Sequence, residues 1–224
     1  MKIFAIELSS AVGSVAFLDG ARAVLQRDIP LIHGRTSTLF SVLQAMQEEA
    51  AWGWDEIDLF AVGRGPGRYS GMRVALTAAQ GLAAPGSKPV RAVSSGAALA
   101  HAVAADYPDH SSVAVMGDAR RDRVWRGHFE RRGERVSQKS GWELIAVDRW
   151  ESGLPANTVI ASPDLGRLRP LLPADAPESD PVWIDHECHP RAEWVGRLAC
   201  AEHTAKSEPE PLTPIYLHPP VQRS

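Results

Sequence analysis

An α/β fold in two lobes, the second smaller than the first, is what this sequence predicts. Three observations carry the expectation. Apolar runs of strand length open the chain between turn residues, then alternate with runs of helical spacing. A strand-to-helix turn over residues 63–71 is rich in glycine. After the polar break Tyr107-Pro108-Asp109-His110 the strand pattern starts again. One lobe is therefore expected over residues 1–106 and a second over 107–224, with the C-terminal tail docking back on the body.

Lys2–Leu8 reads as a strand, apolar toward both faces except at Glu7. Ser9-Ser10-Ala11 turns the chain into a second strand at Gly13–Leu18, and the hairpin signal Asp19-Gly20 returns it as a third at Ala23–Ile29. Leu39, Phe40, Leu43, Met46 and Ala50 recur at helical spacing and predict a helix from about Ser37 to Ala51. Then come a strand at Leu59–Val62, the glycine turn, a small-residue helix over Val74–Ala83 and a strand at Val90–Val93. Ser94 or Ser95 caps a further helix through Ala105. Three strands in a meander, then helix, strand, helix, strand, is the order of the ribonuclease-H-like unit used by actin, Hsp70 and sugar-kinase lobes. Beyond it, strands are expected at Ser112–Gly117, Val124–Glu130 and Trp142–Ile145, with Arg132-Gly133 as the hairpin turn between the last two. Prolines at 155, 163, 170, 173, 177 and 181 confine the next elements to short strands at Thr158–Ala161 and Val182–Asp185. A helix from about Arg191 to Ala205, the linker Ser207-Glu208-Pro209-Glu210-Pro211 and a docking segment Pro214-Ile215-Tyr216-Leu217 complete the chain.

Composition narrows the function classes. With 224 residues, 44% of them apolar and 23% charged, the chain can bury a substantial core. A net charge of −3 argues against a globally basic nucleic-acid binder. Two cysteines give no disulfide framework, the N-terminus is charged too early for a signal peptide, and no apolar run has the length of a membrane helix. A cytoplasmic protein that does not engage the membrane is expected.

The stretch Gly63-Arg64-Gly65-Pro66-Gly67-Arg68-Tyr69-Ser70-Gly71-Met72-Arg73 is the most specific motif. Glycines feeding a helix N-terminus can cradle an anion, or can simply let another segment approach closely. No Gly-x-x-x-x-Gly-Lys-Ser/Thr is present, and Arg68 stands where a dinucleotide fingerprint needs its third glycine. Neither a Walker loop nor a Rossmann turn is therefore expected.

Together with Met1-Lys2-Ile3-Phe4-Ala5-Ile6-Glu7-Leu8-Ser9-Ser10, with Gly117-Asp118-Ala119-Arg120 followed by Val124-Trp125, and with Pro214-Ile215-Tyr216-Leu217, this stretch resembles the TsaB (YeaZ) family. That family contains the inactive paralogue in the bacterial machinery that makes N6-threonylcarbamoyladenosine in tRNA. The likeness covers the first hundred or so residues well and the second half patchily. Glu7 stands where the family has Asp, Arg35 takes the histidine position before the first helix with His33 nearby, and Arg68 replaces a small hydroxyl residue. The resemblance implies an actin-like, two-lobed fold and a subunit without chemistry of its own. It would pair with the catalytic paralogue TsaD, be joined by the ATPase TsaE, reach tRNA through the complex and form a homodimer when alone. A small-molecule kinase or ATPase of the same superfamily is the alternative.

On this reading the partner surface is built from Leu39, Leu43, Met46, Tyr69, Met72, Arg73, Leu76, Ala79, Gln80 and Ala83, on two helices that meet the partner's equivalent pair. Ala75, Ala78 and Gly81 keep the neighbouring face nearly flat, and small residues allow close helix approach. Gly63, Arg64, Gly65, Pro66, Gly67, Ser70 and Gly71 form the signature loop, and Glu7, Ser9 and Ser10 mark a vestigial nucleotide cleft. No catalytic residue and no cofactor of the chain's own are expected. ADP or ATP would sit, if at all, at the interface with the partner. The turn Asp118-Ala119-Arg120-Arg121-Asp122-Arg123 has no glycine to bring backbone N–H groups to a phosphate. His186, Cys188, His189, Cys200 and His203 are of zinc-ligating types but lack two paired-ligand knuckles, so no metal site is expected. The basic run Arg120, Arg121, Arg123, Arg126, Arg131, Arg132, Arg135 and Lys139 reads mainly as a solvated face, with direct tRNA contact as the lesser reading.

Overall fold

The computed structural model describes residues 1–30, 39–172 and 181–217. The chain divides into two compact units, each with its own sheet. The first holds Met1–Ala98 and His189–Ile215; the second is built on Leu99–Cys188.

In the first unit β1 (Lys2–Glu7), β2 (Val12–Asp19) and β3 (Arg22–Pro30) form the meander, followed by α1 (Leu39–Ala50), β4 (Leu59–Gly63), α2 (Tyr69–Ala83) and β5 (Val90–Val93). The next helix, α3 (Ser95–Asp106), begins in this unit and carries the chain into the second. The sheet order is β3-β2-β1-β4-β5, with β4 parallel to both β1 and β5. Period-two alternation gives each face its own core. Phe4, Ile6, Phe17, Phe60 and Val62 pack with Leu39, Leu43 and Met46 of α1 and with Ala75, Leu76 and Ala79 of α2. Ile3, Ala5, Ala16, Leu18 and Leu59 pack on the opposite face.

That second face corrects the expected lobe boundary. It is covered by α5 (Ala192–Thr204), whose Ala192, Val195 and Ala199 join the same cluster. The start of α5 is held by strands far away in sequence. Ala192 N donates to Ser14 Oγ at 2.8 Å, and Glu193 N donates to Gln26 Oε1 at 3.2 Å. The amphipathic pattern of this helix showed that it must bury a face but not which sheet would receive it.

The second unit contains β6 (Ser112–Arg120), β7 (Arg123–Arg132), β8 (Arg135–Gln138), β9 (Glu143–Ala146), β10 (Thr158–Ala161), a single turn α4 (Leu165–Leu168) and β11 (Val182–Trp183). Its order, β11-β10-β6-β7-β8, repeats the plan of the first sheet. On one side of β6 lie β7, antiparallel to it, and β8, antiparallel to β7; on the other lie two strands parallel to it. The four-residue α4 stands where the first unit has the fifteen-residue α2. The hairpin at Arg132-Gly133 leads into β8, which the sequence pattern hides because Arg135-Val136-Ser137-Gln138 is a polar edge strand. β9 instead pairs with the opposite end of β7, Arg123–Arg126. Ser37, where α1 was expected to begin, lies outside the described residues, as do His33 and Arg35.

Candidate functional site

The signature loop is filled by the chain's own backbone. A Cβ at Gly63 would strike the Glu7 carboxylate, one at Gly67 the Ser9 carbonyl oxygen, and one at Gly71 the Leu8 carbonyl oxygen. The loop thus runs in contact with the end of β1, which only unbranched backbone allows. Gly65 has φ +92°, in the left-handed region, and the Gly65–Pro66 peptide is cis. Around it, Gly65 N donates to Ser95 Oγ at 2.8 Å, Ser95 N to Gly65 O at 2.8 Å and Arg68 N to Ser9 O at 2.7 Å. The Arg64, Gly65 and Arg68 amides are thus bonded within the chain.

Glu7 is buried at the end of β1. Ser9 N donates to its Oε1 at 2.6 Å, while Oε2 faces the Gly63 backbone without a full hydrogen bond. Desolvation pushes its carboxyl above the ordinary value of 4.5, outweighing the Ser9 and Ser95 hydroxyls and the Ser9 amide, which pull it down. Ser10 Oγ donates to Val12 O at 2.7 Å, a local turn contact. The turn opening the second unit is closed in the same manner. Arg120, Arg121 and Asp122 all have positive φ, and the Arg120 amide donates to Asp118 Oδ1 at 2.7 Å. The turn holds no glycine, and Arg120, Arg121 and Asp122 each carry a side chain at its left-handed positions.

The structure divides the expected partner surface of the two first-lobe helices into buried and exposed residues. Leu39, Leu43, Met46, Met72, Leu76, Ala79 and Ala83 are buried in the monomer, and six of them, Met72 apart, belong to the core under the sheet. The periodicity that singled them out is the signature of a core-facing stripe, and that is where they point. Tyr69, Arg73 and Gln80 are exposed, as is Ser70, and Gln80 Nε2 donates back to Leu76 O at 3.0 Å. Beside them lies an open groove of about 400 Å³ lined by Leu39, Phe40, Arg73, Val74, Thr77, Ala78, Gly81 and Leu82. Phe40 is 71% exposed and Tyr69 57%. Arg73 lies over the Tyr69 ring, 5.3 Å from its centroid, and donates to the Tyr69 hydroxyl at 2.5 Å. A sequence signal did exist for Phe40: Leu39, Leu43 and Met46 already complete the buried stripe of α1, leaving this aromatic surplus.

The basic run is largely committed to internal contacts. Arg126 is buried and donates to Trp150 O at 2.8 Å and Ser152 O at 2.9 Å, with Glu143 as its counter-charge at 3.0 Å. Arg132 and Lys139 share Glu130, Arg120 pairs with Asp118, and Arg131 donates to Pro108 O. Among the described residues, no group of three His, Cys, Asp or Glu is placed to hold a metal ion, and no helix is long and apolar enough to cross a membrane.

A ribonuclease-H-like meander continued by parallel strands and repeated in a reduced second sheet defines an actin-like fold. Comparison with known proteins gives the family. A family model described as TsaD, tRNA N6-adenosine threonylcarbamoyltransferase, matches residues 33–169, more than half of the chain. The chain belongs to this family. It is 29% identical over 126 residues to the tRNA threonylcarbamoyladenosine biosynthesis protein TsaB of Haemophilus influenzae. That match covers 56% of this chain and 52% of the relative, so the chain spans about half the length of the curated relative it matches. Two solved structures from Pseudomonas aeruginosa, one of an uncharacterized protein with similarity to peptidase YeaZ and one of YeaZ, superpose with TM-scores of 0.79 at 27% identity. They cover 97% and 96% of this chain and 99% of their own.

Proposed function

We propose that the chain is a subunit of the machinery that forms N6-threonylcarbamoyladenosine in tRNA, and that it contributes a docking surface and no acid, base or nucleophile. The observation that carries this reading is the pairing of an open apolar groove on α1 and α2 with a signature loop closed by β1. Exposed Phe40 beside Val74, Ala78, Gly81 and Leu82 offers a contiguous apolar strip, which soluble monomers seldom leave without a partner. Ala78 and Gly81 let a second helix approach closely, and Tyr69 with Arg73 forms a polar edge of the kind that borders protein interfaces. The occupant is a TsaD-like catalytic paralogue carrying an equivalent helix pair. A second copy of this chain takes its place when the paralogue is absent. A TsaE-like ATPase and tRNA join through the complex, and ADP or ATP is assigned to the junction with the partner rather than to this chain's own loops.

The test is reconstitution of threonylcarbamoyl transfer to tRNA with the paralogue and ATPase. Glu7→Gln should leave the rate within about twofold of wild type, because the buried carboxyl does no chemistry. Ala78→Glu should abolish the rate while the isolated chain still folds, with a small fall in melting temperature from its half-buried site beside the core. Loss of activity in Glu7→Gln without loss of folding would point instead to the kinase or ATPase reading.

A further inference from the structure

The segment after α5 has no regular structure, and residues 207–213 are exposed throughout, yet it follows a defined path across the first unit. Beyond its root on α5, where Ser207 N donates to Glu202 O at 3.0 Å, it is fastened at three points. Arg91 Nη1 donates to Ser207 O at 2.8 Å, Glu210 Oε2 pairs with Arg64 Nη1 at 2.7 Å, and Ile215 N donates to Arg64 O at 2.8 Å. Two of the three fastenings fall on one residue, Arg64, the second position of the signature loop.

Arg64 is held from both sides. Its amide donates to Val93 O at 2.9 Å in β5, while its carbonyl receives Ile215. Its side chain is 13% exposed and its Nε has no acceptor, so Glu210 is the counter-charge that compensates its desolvation. The next residue, Gly65, is left-handed, and four residues after that α2 begins at Tyr69. Pro209, Pro211 and Pro214 restrict the segment before it docks, which lowers the entropy lost when three contacts hold nine residues. Glu202 on α5 faces Arg91 and Glu210, placing a further carboxylate beside the fastening.

We propose that Ser207–Ile215 is a latch. It holds Arg64, and through it the signature loop and the first turn of α2, in the form that docks a partner. The second part of this statement rests on the docking function proposed above; the first does not. Exposed, few-point attachment makes the latch releasable by any binder that competes for Glu210 or for the Arg64 carbonyl, without unfolding the sheet beneath.

The experiment compares the full chain with Glu210→Gln and with Ile215→Pro, which removes the donor to Arg64 O. Amide hydrogen exchange is followed at Arg64, Gly65, Arg68 and Ser95, with Ile3–Ile6 of β1 as internal reference, and affinity for the paralogue is measured in parallel. Exchange at the loop amides is expected to speed up at least tenfold with the β1 amides unchanged, and affinity to fall at least fivefold. Unchanged loop exchange in both variants would overturn the latch. Faster loop exchange with undiminished affinity would overturn its control of docking, provided Ala78→Glu still abolishes binding. If Ala78→Glu also binds normally, the docking face itself is wrong and the exchange result alone decides the latch.

Discussion

Glu7 ends β1 with its carboxyl out of solvent, one oxygen on the Ser9 amide and the other against Gly63. Burial raises its folded-state pKa above the unfolded value, so the native state binds this proton more tightly. The contribution to stability is complete below about pH 4.5 and is lost as pH rises through the folded pKa. Glu7→Gln, which keeps the shape without the charge, should therefore melt higher than wild type at pH 7, with the difference vanishing near pH 4. His128 has the opposite sign. Burial, then Arg126 and Lys139, lower its pKa from 6.5, and its Nε2 lies 2.8 Å from Ser112 Oγ. Stability from this group is present above pH 6.5 and lost as pH falls through the folded pKa, so His128→Gln should flatten the acid limb of the melting profile below pH 6.5. The glycine motif was legible as a sequence signal, but its purpose was not. Spacing leaves close backbone approach and anion binding equally open, and only the positions of Leu8 O, Ser9 O and Glu7 decide between them. Gly71→Ala places a methyl group onto the Leu8 carbonyl and should cost about 3 kcal/mol or more by denaturant unfolding, or prevent folding.

At the scale of the element, α2 shows what periodicity can and cannot tell. Met72, Leu76, Ala79 and Ala83 were legible as one stripe; all four are buried, and Leu76, Ala79 and Ala83 cover the sheet. The proposed docking face is the neighbouring strip of Val74, Thr77, Ala78 and Gly81, too mixed in character to announce itself by hydrophobicity. Leu76→Ala should accordingly destabilise the monomer by about 2–5 kcal/mol in chemical denaturation, as a core truncation does. Gly81→Ala should behave differently, since a methyl group there meets nothing within 4 Å. Helix propensity alone predicts a gain of about 1 kcal/mol in the isolated chain, with weaker association wherever a partner helix needs the gap. α5 gives the complementary lesson: its amphipathic face was legible, but its sheet was not, because the Ser14 and Gln26 contacts that seat it join positions more than 160 residues apart.

For the whole molecule, the order of strands and helices in the first half was nearly complete in the sequence, and the restart at Ser112 correctly announced a second sheet of the same plan. What the sequence obscured was where that second sheet departs from the first. β8 is polar, β11 is two residues long, and one turn of helix replaces α2. In the role proposed above, a reduced second unit and a signature loop packed against β1 make surface, rather than chemistry, this protein's contribution to tRNA modification. The most direct measurement is the dissociation constant for the catalytic paralogue, by calorimetry, of the wild-type chain and of folded Ala78→Glu. We expect tight binding for the first and at least a hundredfold loss for the second; equal affinities would contradict the proposal that this groove is where the partner docks.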